Sequence, residues 1–287
     1  MQATLMPTAS SMTLLDLLAA YELARPCSVR YRESLLRTIR KAQASGLSEI
    51  CQLIPDRVNR FLNSLSLGAT TKSNIRRELL TLWRYAYEEG MTEAMPVRIT
   101  RIRPKHSPPQ AWSSSDLSRI LNAAKEDESF IGGRSGLRVC DVLPVWIGIA
   151  YDSGLRFGDV LSLQASNFRN GCVCVTASKT GKPLVRRLSD RTDEAVVELL
   201  AKSEDGSLFA WAITRRRACK MWRAFLNRHG FTGSSKWLRR SCATYVERQQ
   251  PGAATRYLQH SHPMLAPKHY LDETLFDIPD GPPPIIE

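Results

Sequence analysis

The chain has 287 residues, 43% hydrophobic and 24% charged, the composition of an ordinary soluble globular protein with room for two cores. It holds no run of about 18 apolar residues, which argues against a membrane span. Its seven scattered cysteines form no C-x-x-C pair and read as reduced, mostly buried thiols. A net charge of +12 and a pI near 9.6 point to a polyanionic partner, although a basic solvated surface would give the same sum. Residues 1–105 carry sixteen basic and nine acidic side chains, and the remainder carries twenty-four and nineteen, so both halves are basic.

The opening segment, "MQATLMPTASSMTLLDLLAAYE", lacks a basic n-region and is interrupted at Asp16. It reads as a tail entering an amphipathic helix, not a signal peptide, and places the chain in the cytoplasm. "SVRYRESLLRTIRKAQASG" repeats Tyr31, Leu35 and Ile39 at near-helical spacing and closes at Gly46. "PDRVNRFLNSL" enters a helix at Pro55 and puts Val58, Phe61, Leu62 and Leu65 on one face. "TTKSNIRRELLTLWRYAYEEG" is the longest predicted helix, with Ile75, Leu79, Leu82, Trp83 and Ala86 on its apolar side and Gly90 at its end. Lys72, Arg76, Arg77 and Arg84 on this helix are candidate grips for phosphates. Arg76 and Arg77 are neighbours, about 100° apart, so one narrow stripe cannot hold both.

"RIRPKHSPPQAW" gathers Pro104, Pro108 and Pro109, which remove donors and favour extended chain, and it adds the basic Lys105. The predicted organisation is a helical domain over 1–103, a linker over 104–112 and a second domain over 113–287. In the second domain "SSSDLSRILNAAK" opens a helix with Ser113 as N-cap and Asp116 three residues on. "LPVWIGIAYDSG" is apolar and ends at Gly154. Two short strands, "GCVCVTAS" and "PLVRRLS", are joined by "KTGK"; Cys172 and Cys174 share a face there and suit core packing better than metal. Beyond Asp190 the pattern is helical to about Tyr270, broken near Gly206 and at "GFTGSS". The fold class is mainly α with a small antiparallel β-sheet.

Three of the five histidines fall within "LQHSHPMLAPKHYLDE": His260, His262 and His269. A zinc site would need a fourth ligand, and Pro263 and Pro267 favour a bent loop over a helix presenting two ligands. Four other pieces give the stretch a different meaning. "SGLRFGDVLSL" sets Arg156 at a helix start with Asp159 one turn along, and "SKTGK" sets Lys179 at a hairpin tip, with Lys182 as its competitor. "KWLRRSCATYV" puts Lys236 and Arg239 three apart on one helical face, followed by Arg240. "LQHS" and "HY" then supply His260 and Tyr270.

From Gly154 to Tyr270 this set resembles the tyrosine recombinase, or phage integrase, family, and the first hundred residues are similar to its helical core-binding domain up to "EAMPVRITR". The sequence departs from the family at three places. Lys236 stands where most members have histidine, Gln259 replaces the glycine before His260, and Tyr270 lies one residue further from His260 than usual.

The resemblance implies an enzyme that cuts one DNA strand through Tyr270, leaves a 3′-phosphotyrosyl link and passes the end to a 5′ hydroxyl of another duplex. Arg156 and Arg239 would hold the non-bridging oxygens, Lys179 would protonate the leaving 5′ oxygen, and Lys236 and His260 would bond the phosphate. Asp159 would orient Arg156 from behind. No metal, ATP or other cofactor is implied. Lys72, Arg76, Arg77, Arg84, Lys105, Lys182, Arg215, Arg216 and Arg240 are the expected DNA contacts. The implied partners are double-stranded DNA, which brings the chain to the nucleoid, a tetramer of the chain on two sites, and accessory DNA-bending proteins. Leu275, Phe276 and Ile278 in the tail would dock on a neighbouring subunit or on their own domain. Two alternatives stay open: a type IB topoisomerase-like enzyme that relaxes DNA, and a DNA-binding protein with a decayed site.

Overall fold

The computed structural model describes residues 12–105, 107–131, 138–176, 181, 183–202, 208–209 and 214–276. The chain divides into two compact units, Met1–Ser107 and Pro108–Glu287.

The first unit is built from α1 (Leu14–Ala24), α2 (Val29–Gln43), α3 (Pro55–Ser64) and α4 (Ala69–Glu88). Thr13 and Asp16 form a reciprocal capping box that starts α1, and Pro55 opens α3 at the position where a missing N–H costs nothing. The apolar stripes meet in a core around Leu17, Leu35, Ile39, Leu79, Leu82 and Trp83. Burying side chains of this size stabilises by about 1.5–3 kcal/mol each before entropy is counted. Glu78 is buried in α4 yet satisfied, accepting from Ser34 Oγ at 2.7 Å and Thr38 Oγ1 at 2.5 Å.

Near the start of the second unit Trp112 is buried, and its indole donates to the Thr232 carbonyl at 2.9 Å. It comprises α5 (Ser114–Glu126), α6 (Val139–Ser153), α7 (Phe157–Val160), β1 (Phe168–Arg169), β2 (Cys172–Thr176), β3 (Pro183–Arg187), α8 (Asp190–Ala201), α9 (Arg215–Arg228), α10 (Ser235–Gln249), α11 (Ala253–Tyr257) and α12 (Leu265–His269). Ser113 caps α5, with its Oγ accepting from the Asp116 N–H at 3.1 Å. Helix α6 is apolar on nearly every side because α5, α8 and α10 all pack on it. Trp146 is its anchor, edge-on to Trp222 at 4.7 Å and to Phe157 at 5.3 Å.

The sheet has the order β1-β2-β3 among the described residues, all antiparallel, with Val173 opposite Arg186 and Cys174 opposite Val185. It has one strand more than the sequence pattern indicates, since β1 is two residues long and leaves no periodicity to read. Cys172 and Cys174 share a face, as their spacing predicts, but it is not the core face. Val173 is the buried residue of β2, while Cys172 and Cys174 lie on the other face and are half-exposed. All seven thiols are free, and Cys242 alone is buried.

No helix among the described residues is long and apolar enough to cross a membrane. Pro267 does not leave a bare loop: α12 forms around it. Beyond Tyr270, Leu271 and Asp272 are buried and Phe276 packs beside them, so this part of the tail docks on its own unit. Ile278 lies outside the described residues.

Candidate active site

Helix α6 ends at Gly154, whose φ of +61° is the left-handed conformation that stops a helix. Leu155 is buried, and the next residue, Arg156, caps α7. The chain reversal therefore projects Arg156 from the end of the unit's central helix. Asp159, one turn on and buried, lies 3.9 Å from the Arg156 guanidinium and holds it from behind.

Arg239 comes from α10 and is only 6% exposed. Its Nη1 donates to the Gly154 carbonyl, while Nη2 donates to the Leu258 carbonyl at 3.1 Å and to His260 Nε2 at 3.3 Å. Guanidinium nitrogens only donate, so His260 Nε2 accepts and the ring's proton sits on Nδ1. Burial is the main influence pulling the Arg239 pKa down. The Tyr270 hydroxyl opposes it and the Arg156 charge adds to it. A guanidinium starts so high that it stays charged.

Tyr270 ends α12. Its N–H bonds to the Ala266 carbonyl at 2.9 Å, and its carbonyl accepts from Thr244. Asp272 then fastens the chain by accepting from the Ala111 N–H at 2.7 Å and donating its own N–H to Thr244. The phenol ring is thus held between two anchors. It lies 4.7 Å from the His260 ring, and the Arg239 guanidinium sits 5.2 Å from its centre. The longer spacing between His260 and Tyr270 does not part their rings.

Arg156, Arg215, Lys236, Arg239 and Arg240 line one cavity of about 470 Å³ together with Tyr270. Five cations around a phenol make a site for an anion with a nucleophile beside it. A larger cavity, about 940 Å³, contains His260, Arg186 and Tyr257 but not Tyr270. Only the smaller of the two brings Tyr270 together with Arg156 and Arg239. The Tyr257 hydroxyl in the larger cavity donates to the Asp152 carbonyl, and burial pushes its pKa up to about 12.

Lys236 is exposed at the start of α10, on the cavity wall. Lys179 and Lys182 lie outside the described residues. Of the expected DNA contacts, Lys105, Arg77, Arg84, Arg215 and Arg216 are exposed and Lys72 is half-exposed. Arg76 is turned inward, donating to the Thr100 and Ile99 carbonyls at 2.8 and 3.1 Å. Arg240 likewise donates to the His269 and Gln110 carbonyls. Both guanidiniums tie chain segments together, which sequence spacing alone could not reveal. Arg215 leans over α7, 5.9 Å from the Phe157 ring, and so enters the cavity. Arg216, Lys220 and Arg223 form an exposed stripe on α9 at helical spacing. Lys220 and Arg223 were legible from that periodicity; the cavity-lining Cys219 was not. Among the described residues, no three His, Cys, Asp or Glu side chains converge as ligands for a metal.

The family model for the phage integrase family matches residues 113–275, more than half of the sequence. The chain belongs to the phage integrase family. It is a site-specific tyrosine recombinase, an enzyme that breaks and rejoins DNA. No curated protein matches the recombinase in sequence. Its fold is similar to that of a lambda integrase dimer bound to a COC′ core site, with a TM-score of 0.73 and 18% identity over 93% of this chain and 79% of that one. A lambda integrase tetramer bound to a Holliday junction gives 0.70 and 18% over 89% and 79%. The Tn1549 transposon integrase in complex with circular intermediate DNA gives 0.74 and 15% over 91% and 96%. At these identities the likeness is one of fold.

Proposed function

We propose that the recombinase cleaves double-stranded DNA with Tyr270 as nucleophile, and that Arg156, Arg239 and Lys236 hold the scissile phosphate. The observation that carries this reading is the shared cavity, in which the phenol and these three cations face one volume. The Tyr270 oxygen attacks phosphorus, the bond to the 5′ oxygen breaks, and a 3′-phosphotyrosyl link forms; the phenolic proton passes to water. Guanidiniums on the non-bridging oxygens stabilise the charge that gathers there. His260 keeps Arg239 in place, and Asp159 does the same for Arg156. Lys179 donates the proton that the departing 5′ oxygen needs. The free 5′ hydroxyl of a second duplex then reverses the step and exchanges the strands.

A lambda integrase tetramer on a Holliday junction supports a tetramer on two DNA sites here, through its common fold. Lys105, Arg77, Arg84, Arg216, Lys220 and Arg223 serve as phosphate contacts in this reading.

The test is covalent capture on a nicked duplex selected from a randomised pool, with cleavage persisting in excess chelator. A second substrate, with sulfur at the bridging 5′ position, assigns the proton donor, because a thiolate leaves without a proton. Lys179→Ala is expected to slow cleavage about 10²–10⁴-fold on normal DNA and to recover on the sulfur substrate. Arg156→Ala is not expected to recover. Recovery in Lys182→Ala instead would move the role to that residue.

A further inference from the structure

Helix α11 ends in the turn that carries His260 to Arg239. The His260 N–H bonds to the Thr255 carbonyl at 2.9 Å and the Gln259 N–H to the Arg256 carbonyl at 3.1 Å. Between them Gln259 has a φ of +53°. In this helix-ending turn glycine is the favoured residue, because a Cβ crowds the backbone in the left-handed conformation. Glutamine is therefore a strained choice. It carries a second cost, since its Oε1 is buried with no hydrogen-bond partner among the described residues. A glycine would have neither.

What glutamine adds is one contact. Its Nε2 donates to the carbonyl of Pro183, the first residue of β3, at 2.6 Å. The residues on either side of it, Leu258 and His260, are the two that accept from Arg239 Nη2. The brace thus fastens to the sheet the turn that sets the buried guanidinium beside Tyr270. Local strain kept at a functional site calls for such a return.

We propose that Gln259 is a positioning residue for strand cleavage. Through Pro183 it fixes the turn that aims Arg239 at the scissile phosphate, without touching DNA itself. This rests on the roles given above to Arg239 and Tyr270.

The experiment compares Gln259→Gly and Gln259→Glu with the wild-type chain, using a nicked duplex chosen from a randomised pool by covalent capture on the wild type. Glycine keeps the turn and deletes the brace; glutamate keeps the size and replaces the donor with an oxygen. Both variants are expected to bind the duplex with wild-type affinity, and the glycine variant to melt no lower than wild type. Both are expected to form the adduct about 10- to 100-fold more slowly in a single turnover, the scale of a small misplacement of reacting groups. A glycine variant that cleaves at the wild-type rate overturns the inference alone. So does a loss of rate matched by losses of affinity or melting temperature. A wild-type chain that captures no duplex overturns the proposed function and this inference with it.

Discussion

Arg239 shows how much of the site rests on one side chain. Three acceptors from two segments, Gly154 at the end of α6 and Leu258 and His260 in the turn after α11, converge on its guanidinium. Lysine at this position would keep the charge but lose the planar fork that reaches all three. Arg239→Lys is therefore expected to reduce cleavage about 10²–10³-fold while DNA affinity changes little, as measured by single-turnover adduct formation beside a binding isotherm. The two tyrosines separate in the same assay. Tyr257→Phe should still form adducts, since its hydroxyl is committed to Asp152, whereas Tyr270→Phe should form none. That Arg156, Arg239 and Tyr270 come together around one cavity was legible in the sequence, because local patterns in a fixed order carry all three. The brace by Gln259 and the inward turn of Arg76 were not. Each depends on a carbonyl distant in sequence that no spacing rule can point to.

Helices and caps were the most readable elements, because α2, α3 and α4 carry apolar stripes and clear end signals. The two-residue β1 was invisible for want of length, and the cysteine face of β2 was misassigned because alternation gives two faces without saying which is inside. Helix α6 makes the strongest demand on its end. A Cβ on Gly154 would meet Leu258 Cδ2 at 2.8 Å and Cys242 Sγ at 3.0 Å, at a φ that L-residues avoid. Gly154→Ala should cost about 1–3 kcal/mol in denaturant unfolding and slow cleavage too, because the carbonyl it displaces holds Arg239. A second latch joins α9 to the chain after α5. The buried Asp127 accepts from Arg228 at 2.6 Å and lies 3.0 Å from His229 Nε2. Burial pushes this carboxyl up, but hydrogen bonds from Ser129 and His229 and the Arg228 charge outweigh it and hold it below its ordinary value. A lowered folded pKa gives stability that is present at neutral pH and lost as pH falls through that value. The contribution of the latch should begin to fall below the ordinary carboxylate value of about 4 and be gone once pH drops past the lowered one. Asp127→Asn should lower the melting temperature at pH 7, and the gap from wild type should shrink on acidification. A constant gap would mean that the carboxylate charge is not what matters.

At the scale of the molecule, positive charge is spread over both units, so binding should be steeply salt-dependent. Neutralising about six to ten phosphates would cost about 10³–10⁵-fold in affinity between roughly 50 and 200 mM salt. Arg77 and Arg84 lie seven apart on α4 and are both exposed. Replacing both by alanine in the full chain should weaken binding and lower the salt slope by about two, while Arg76→Ala should act through stability instead. An unchanged slope in the double variant would remove that face of the first unit from the DNA. Strand cleavage in the proposed mechanism turns on one atom, the Tyr270 phenolic oxygen. The adduct trapped on the nicked duplex should be digested with nuclease and protease and its peptides sequenced by mass spectrometry. A single modified residue, Tyr270, should carry a nucleotide through its 3′ phosphate. A nucleotide on any other side chain, or one attached through a 5′ phosphate, would contradict that mechanism.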